Sequence, residues 1–267
     1  MQNEKTIEFW NDYHERDDDK EWILKPSEQL LDRILSIISD TSCPKVLEIG
    51  CGTSQLARWL YERKRSDSST FVVTDVSPVC IQINQSRDAA ILSDRFEYQV
   101  LNALEPADPS LCQKFDVVLD KGCLDTFLYR SSKGSQLVPK LLGNVCNWLS
   151  DRGQYLVLTP RPRIPMLRDY PSFSSVRRVM LDDSTATLGD LDGGTTKQVV
   201  YLHVCTKRHS DIPTTCENTT EVILQQCGAC GMTFQEFQTI DTHVKIVRRW
   251  KGHLVHCRDS HKKVISV

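Results

Sequence analysis

The chain has 267 residues, 40% of them hydrophobic and 25% charged, with a formal net charge of −2. Such totals fit a soluble globular protein with a sizeable core, built as one large α/β domain or as a domain with an extension. They argue against bulk nucleic-acid binding, which needs a strong positive excess, and no stretch approaches the roughly eighteen apolar residues of a membrane span.

Residues 1–25 form an arm that mixes aromatics with acid. Phe9, Trp10, Tyr13 and Trp22 surround Glu15-Arg16-Asp17-Asp18-Asp19, and that charge run reads as a solvated face or loop. The opening Met1-Gln2-Asn3-Glu4-Lys5 has neither the apolar core of a secretory signal nor the arginines of a transit peptide. Eleven cysteines are scattered along the chain. They read as reduced thiols of a cytoplasmic or nuclear protein, and the sequons at Asn84 and Asn218 as unused.

Pro26 opens a predicted helix with an apolar stripe of Leu30, Leu31, Ile34, Leu35, Ile37 and Ile38. Thr41 to Pro44 break the chain before a first strand, 45–49. There Glu48 precedes Gly50-Cys51-Gly52-Thr53-Ser54, and a helix follows through Leu56 to Tyr61. Two glycines one residue apart permit a sharp turn and close approach of backbone to a ligand, at the strand end where open α/β sheets bind nucleotide-like molecules. A dinucleotide site needs a third glycine, and that position is Gln55. Glu48 suits a cation and would repel a pyrophosphate.

Strand two, 70–74, ends in Asp75, 23 residues after Gly52. A carboxylate so placed can accept both hydroxyls of a ribose. Ser77-Pro78 reads as N-cap and first turn of the next helix. Strand three, 96–101, leads into Asn102-Ala103, where an asparagine can accept from an exocyclic amine or simply shape a turn. Strand four, 115–119, is followed by Asp120-Lys121-Gly122-Cys123-Leu124-Asp125. A helix over Leu137 to Leu149, ended by Ser150-Asp151-Arg152-Gly153, precedes strand five at 154–159.

Pro160 to Pro165 predicts a stiff, non-helical loop. Residues 176–181 and 199–205 read as strands six and seven, with a polar loop at 182–197 between them. Short apolar strands alternating with helices predict a parallel sheet covered on both faces. Beyond 207, helix is expected over Thr219 to Gln226, strand over Phe234 to Ile240, and a weak alternation over Thr242 to Trp250. The C-x-x-C of Cys227 and Cys230 is a weak zinc signal, because a structural zinc site normally shows two such pairs; no metal ligand is assigned.

The run Val46-Leu47-Glu48-Ile49-Gly50-Cys51-Gly52 resembles motif I of class I S-adenosylmethionine-dependent methyltransferases. With Leu119-Asp120-Lys121-Gly122-Cys123-Leu124-Asp125 downstream, it resembles the eukaryotic methyltransferase-like enzymes that modify lysines of elongation factor 1-alpha and citrate synthase. Cys123 and Thr126 depart from that group's usual Thr and Ala.

The resemblance implies a Rossmann-like, doubly wound, mostly parallel seven-stranded sheet with a closing antiparallel strand. The domain would span 26–207, with the arm before it and residues 208–267 as an appendage packed on the core. It implies S-adenosylmethionine as cofactor, held by Trp22, Glu48, Gly50, Gly52, Ser54, Asp75, Val76, Asn102, Ala103 and Asp120. In such enzymes the leader folds over the cofactor, so Tyr13 or Trp22 would cover the sulfonium. Asp120 is the catalytic candidate, contacting the cofactor's amine or the acceptor, and Lys121 is expected in a structural ion pair. A protein lysine is the expected acceptor, with no membrane or nucleic-acid partner; the oligomeric state stays open. A small-molecule methyltransferase and a non-catalytic cofactor-binding scaffold are the alternatives.

Overall fold

The computed structural model describes residues 2–16, 21–38, 43–64, 68–106, 108–129, 136–181, 187–189, 195–197, 199–209, 224–226 and 233–235. The chain divides into two units, Met1–Asp211 and Ile212–Val267.

In the first unit, β1 (Lys45–Ile49) is buried at every position after Lys45, as a strand covered on both faces must be. It pairs in parallel with β2 (Thr70–Asp75) and with β4 (Phe115–Lys121). With β3 (Phe96–Val100), β5 (Leu149–Thr159), β6 (Phe173–Leu181) and β9 (Val200–Lys207), the sheet runs β3-β2-β1-β4-β5-β9-β6. Strands β1 to β5 pair in parallel, and β9 lies antiparallel to both β5 and β6. The seven-stranded, Rossmann-like arrangement with a closing antiparallel strand is therefore present. The last strand in chain order slots between its two predecessors.

Helices cover the sheet. In α2 (Glu28–Ile38), Leu30, Leu31, Ile34, Ile37 and Ile38 are buried, and each contributes on the order of 1.5–3 kcal/mol by leaving water. The helix starts two residues after Pro26: Ser27 Oγ accepts from Leu30 N–H at 3.2 Å and so acts as the cap. The α3 helix (Leu56–Lys64) follows the glycine turn, and α4 (Pro78–Arg87) starts at the expected Ser77 cap, with Cys80 N–H donating to Ser77 Oγ at 3.1 Å. After β4 come α5 (Cys123–Tyr129), which the sequence reading did not assign, and α6 (Val138–Trp148).

Several expectations are corrected. The arm, given no secondary structure from its sequence, carries a helix, α1 (Gln2–Arg16), packed on α4, which takes in Glu15 and Arg16 of the charge run read as a solvated face or loop. Strand β5 begins at Leu149 rather than 154, because Leu149 pairs with Phe115 before an irregular step in register at Val117. The polar stretch 150–153 is thus carried inside a long strand, with Arg152 in the left-handed region at φ 63°. Pro165 does not forbid helix: its ring occupies the first position of the one-turn α7 (Pro165–Arg168), where a missing N–H costs nothing. Strand β6 begins at Phe173 rather than 176. Within 182–197 a short hairpin joins β7 (Thr187–Gly189) to β8 (Thr195–Lys197).

In the second unit, β10 (Leu224–Gln226) pairs antiparallel with β11 (Thr233–Gln235). The helix expected over 219–226 is therefore overturned at 224–226. The expectations at Cys227 and Cys230 and over 242–250 lie outside the described residues.

Candidate functional site

The register of the parallel strands brings three carboxylates to one edge of the sheet. Ile49 stands level with Thr74 on one side and Asp120 on the other, so Glu48, Asp75 and Asp120 lie at the carboxyl ends of adjacent strands. The glycine turn sits directly above them. Gly50 and Gly52 have φ of 57° and 53°, in the region that an L side chain strains to occupy. At Gly50 a Cβ would also lie 2.7 Å from Cys123 Cβ, so the turn is pressed against the start of α5. Backbone bonds fix it: Cys51 N–H donates to Thr74 O at 2.9 Å, and Ser54 N–H to Cys51 O at 3.2 Å.

Asp75 is bound into this turn. One oxygen accepts from Gly52 N–H and the other from Ser77 N–H, both at 2.9 Å. Burial pushes its carboxyl above the usual carboxylate range, opposed by those N–H donors and by the neighbouring His14. Val76, next in the chain, is half-buried.

Glu48 is fully buried, and among the described residues neither carboxylate oxygen has a partner of full hydrogen-bond geometry, although the Ala57 N–H lies near. Burial raises its pKa to about 8, with Lys121 and the Ala57 backbone N–H at the start of α3 acting in the opposite direction. An acid left this way either stays protonated or takes a cation as its partner. Buried carboxylates are otherwise paired or hydrogen-bonded.

Asp120 is buried too, but satisfied. Tyr155 O–H donates to it at 2.6 Å and Leu124 N–H at 3.0 Å. Burial lifts its pKa to about 7 against those two donors. Asp125 faces away toward the proline loop, where Thr159 Oγ1 and Arg161 Nε donate to it at 3.0 and 2.9 Å. His203 Nε2 in turn meets Arg161 O at 3.0 Å. That network ties the loop after β5 to α5, at the same edge of the sheet.

Lys121 makes the ion pair expected of it. Its ammonium donates to Glu21 at 2.6 Å and to Trp22 O at 2.9 Å, and the side chain is 1% exposed. The other oxygen of Glu21 accepts from Gln55 N–H at 2.9 Å. Glu21 therefore stitches the arm to both the glycine turn and β4. Trp22 remains 41% exposed, its ring 5.7 Å from that of Tyr13.

The remaining candidates are held by local bonds. Ser54 Oγ accepts from Leu56 N–H at 3.2 Å, at the start of α3. Asn102 Oδ1 accepts from Leu104 N–H at 3.0 Å, a turn closed by its own side chain, and Ala103 O accepts from Asn144 at 2.8 Å. Glu48, Gly50, Gly52, Ser54, Asp75 and Asp120 thus gather at the edge around β1. Asn102 and Ala103 lie beyond β2, at the end of β3.

Sequence reasoning missed His14, Glu21, Asn84 and Tyr155. Asn84 donates to Gly52 O at 2.8 Å from inside α4. Glu21 and His14 carry no spacing signal, since long-range packing alone brings them to the turn. Tyr155 had a weak one, an uncharged polar group alternating into the core of β5.

The edge as a whole offers buried carboxyl groups to a ligand, with backbone N–H groups and a tight glycine turn at its centre. Among known families, one described as a methyltransferase domain matches residues 40–221. The mouse EEF1A lysine methyltransferase 4 is 32% identical over 133 residues, which are 46% of this chain and 49% of the mouse protein. The bovine eEF1A lysine and N-terminal methyltransferase is 34% identical over 116 residues, 43% of this chain and 16% of that one. The chain thus spans about half the length of the mouse relative and far less of the bovine one. Among solved structures, the YcgJ protein of Bacillus subtilis superposes with a TM-score of 0.49 at 12% identity, over 68% of this chain and 100% of that one.

Proposed function

Because the chain belongs to the methyltransferase domain family, we propose that it transfers methyl groups from S-adenosylmethionine to the side-chain nitrogen of a lysine in a protein. S-adenosylmethionine-dependent methyl transfer is the chemistry of this family; the lysine acceptor is the proposal. Its support is the partial likeness to two eEF1A lysine methyltransferases and the buried acidic edge.

The observation that carries the cofactor assignment is the unpartnered Glu48 carboxylate. A cationic ligand supplies what both oxygens lack. In this reading Glu48 holds the ligand's positive end, and Asp75 accepts its ribose hydroxyls with the lone pairs not used by Gly52 and Ser77. The positive-φ turn at Gly50 and Gly52 admits the ligand backbone-close, and Trp22 with Ser54, Val76, Asn102 and Ala103 would complete the binding set. Bound S-adenosylmethionine supplies an electrophilic methyl carbon on a good leaving group, so positioning and desolvation of the nucleophile carry much of the catalysis.

A lysine must attack as the free amine, although its unperturbed pKa is about 10.4. Exclusion of water at a buried edge lowers that value, and an acid such as Asp120 can orient the amine through the oxygen lone pairs left by Tyr155 and Leu124. Arg161, tied to Asp125, shapes the mouth from the proline loop. The described cysteines are all free, which fits the reducing cytoplasm or nucleus.

The test is incubation of the protein with fractionated cell lysate and tritiated S-adenosylmethionine, followed by mass spectrometry of labelled bands. Label on a lysine of a discrete protein is expected. Label confined to small molecules, or to arginine, would overturn the reading.

A further inference from the structure

Beside the glycine turn lies a second constellation, unused so far. His14 from α1, Asp75 from the end of β2 and Cys80 from the first turn of α4 are all buried, and their ligating atoms lie within 4.8 Å of one another. Imidazole, carboxylate and thiol are the donor set of a borderline divalent transition ion. An ion bound at about 2.0–2.3 Å needs ligand separations of roughly 3.3–3.8 Å, so at most about 1–1.5 Å remains to be closed.

Polar groups already surround the Cys80 sulfur. Asn84 Nδ2 reaches both Cys80 Sγ and Cys51 Sγ at 3.6 Å, and the Cys51 thiol is hydrogen-bonded to Cys80. N–H and S–H donors onto a ligating sulfur are the outer-shell arrangement that steadies metal sites. Both Asp75 oxygens are oriented by backbone N–H groups and keep lone pairs to spare.

We propose that His14, Asp75 and Cys80 bind a Zn²⁺-class ion, with water in the fourth position, and that the bound ion and the cofactor exclude each other. Cys80 binds as the thiolate and its proton passes to solvent. Exclusion follows because the ion takes the same carboxylate that receives the ribose. That half rests on the function proposed above, whereas metal binding itself does not. The site joins α1 to the sheet edge, so the ion would also hold the arm down over the turn.

The probe is Co²⁺, titrated into the full chain carrying Cys227→Ser and Cys230→Ser, so that the C-x-x-C pair cannot contribute. A sulfur-to-cobalt charge-transfer band is expected, displaced by Zn²⁺ and by excess S-adenosylmethionine. Adding Cys80→Ser should abolish the band. His14→Gln should weaken cobalt binding by more than the roughly 10–100-fold that outer-shell changes cost. Circular dichroism identifies which variants fold, and either folded variant suffices. No band, or a band that survives in a folded variant, overturns the proposal. A band that the cofactor fails to displace overturns the exclusion and the ribose role of Asp75 while leaving the metal site standing.

Discussion

The orphaned Glu48 carboxylate makes cofactor affinity depend on pH in a calculable way. With a pKa of about 8 in the free protein, about one Glu48 in a hundred is ionised at pH 6 and about a quarter at pH 7.5. A cationic ligand binds the ionised form, so its affinity should climb with pH across this interval. If Glu48 is fully ionised in the complex, the rise is about 25-fold, or about 1.9 kcal/mol. By pH 7.5 the ligand's own α-amino group, with an unperturbed pKa of about 8, is about a quarter deprotonated, which trims the rise to about 20-fold. The assay is isothermal titration calorimetry of S-adenosylmethionine at half-unit pH steps, with a chelator present to keep the His14–Asp75–Cys80 cluster free of metal. Binding should also release protons, which shows as a dependence of the heat on buffer ionisation enthalpy. Glu48→Gln should flatten the profile. An affinity that stays constant from pH 6 to 7.5, or a rise that persists in Glu48→Gln, would refute the reasoning. The sign for stability is opposite. A raised carboxyl pKa contributes stability that is present below the unfolded value and lost as pH rises toward about 8, so the free protein should melt lower at pH 8 than at pH 5 on this group's account.

Asp75→Ala should weaken S-adenosylmethionine roughly 10- to 150-fold, the loss of a charge-assisted hydrogen bond worth about 1.5–3 kcal/mol; unchanged affinity by calorimetry would sink the ribose assignment. Gly50→Ala should cost about 2–5 kcal/mol of stability in denaturant melts, because strain at positive φ adds to a Cβ placed 2.7 Å from Cys123. Gly52→Ala, where the nearest atom is His14 Cε1 at 3.6 Å, should cost only the backbone strain of about 1–2 kcal/mol. Equal costs for the two glycines would show that the contact with α5 is misjudged. Lys121→Met strips the buried partner from Glu21 and should lower stability by about 3–5 kcal/mol. Adding Glu21→Gln should recover part of that loss, and a double variant no better than the single one would argue against the pairing.

The parallel core and the glycine turn were legible because each carries its signal locally. Strands 45–49, 70–75 and 96–100 are short apolar runs, and Gly50, Gly52 and the Ser77 cap are read from their own chemistry. What escaped depends on partners distant in sequence. The α1 helix is polar and acidic with a few aromatics, and its His14 is buried only because the helix packs on α4. The residues 150–153 look like a helix stop, yet pairing of Leu149 with Phe115 draws them into β5. In the site, Glu48 and Asp75 announced themselves by position. That Asp75 would already be tied to Gly52 and Ser77, and that Glu48 would find no well-formed hydrogen bond among the described residues, emerges only from the packing around them.

The position of β9 sets a condition on synthesis. A nascent chain emerging from the ribosome has made six of the seven main-sheet strands by residue 181, yet β5 and β6 cannot meet until residues 200–207 arrive to lie between them. Until then two open strand edges face solvent, and such edges invite pairing with other chains. Ribosome-arrested chains ending before residue 200 should therefore depend on chaperones, and those in which residue 207 has cleared the exit tunnel should be released from that dependence.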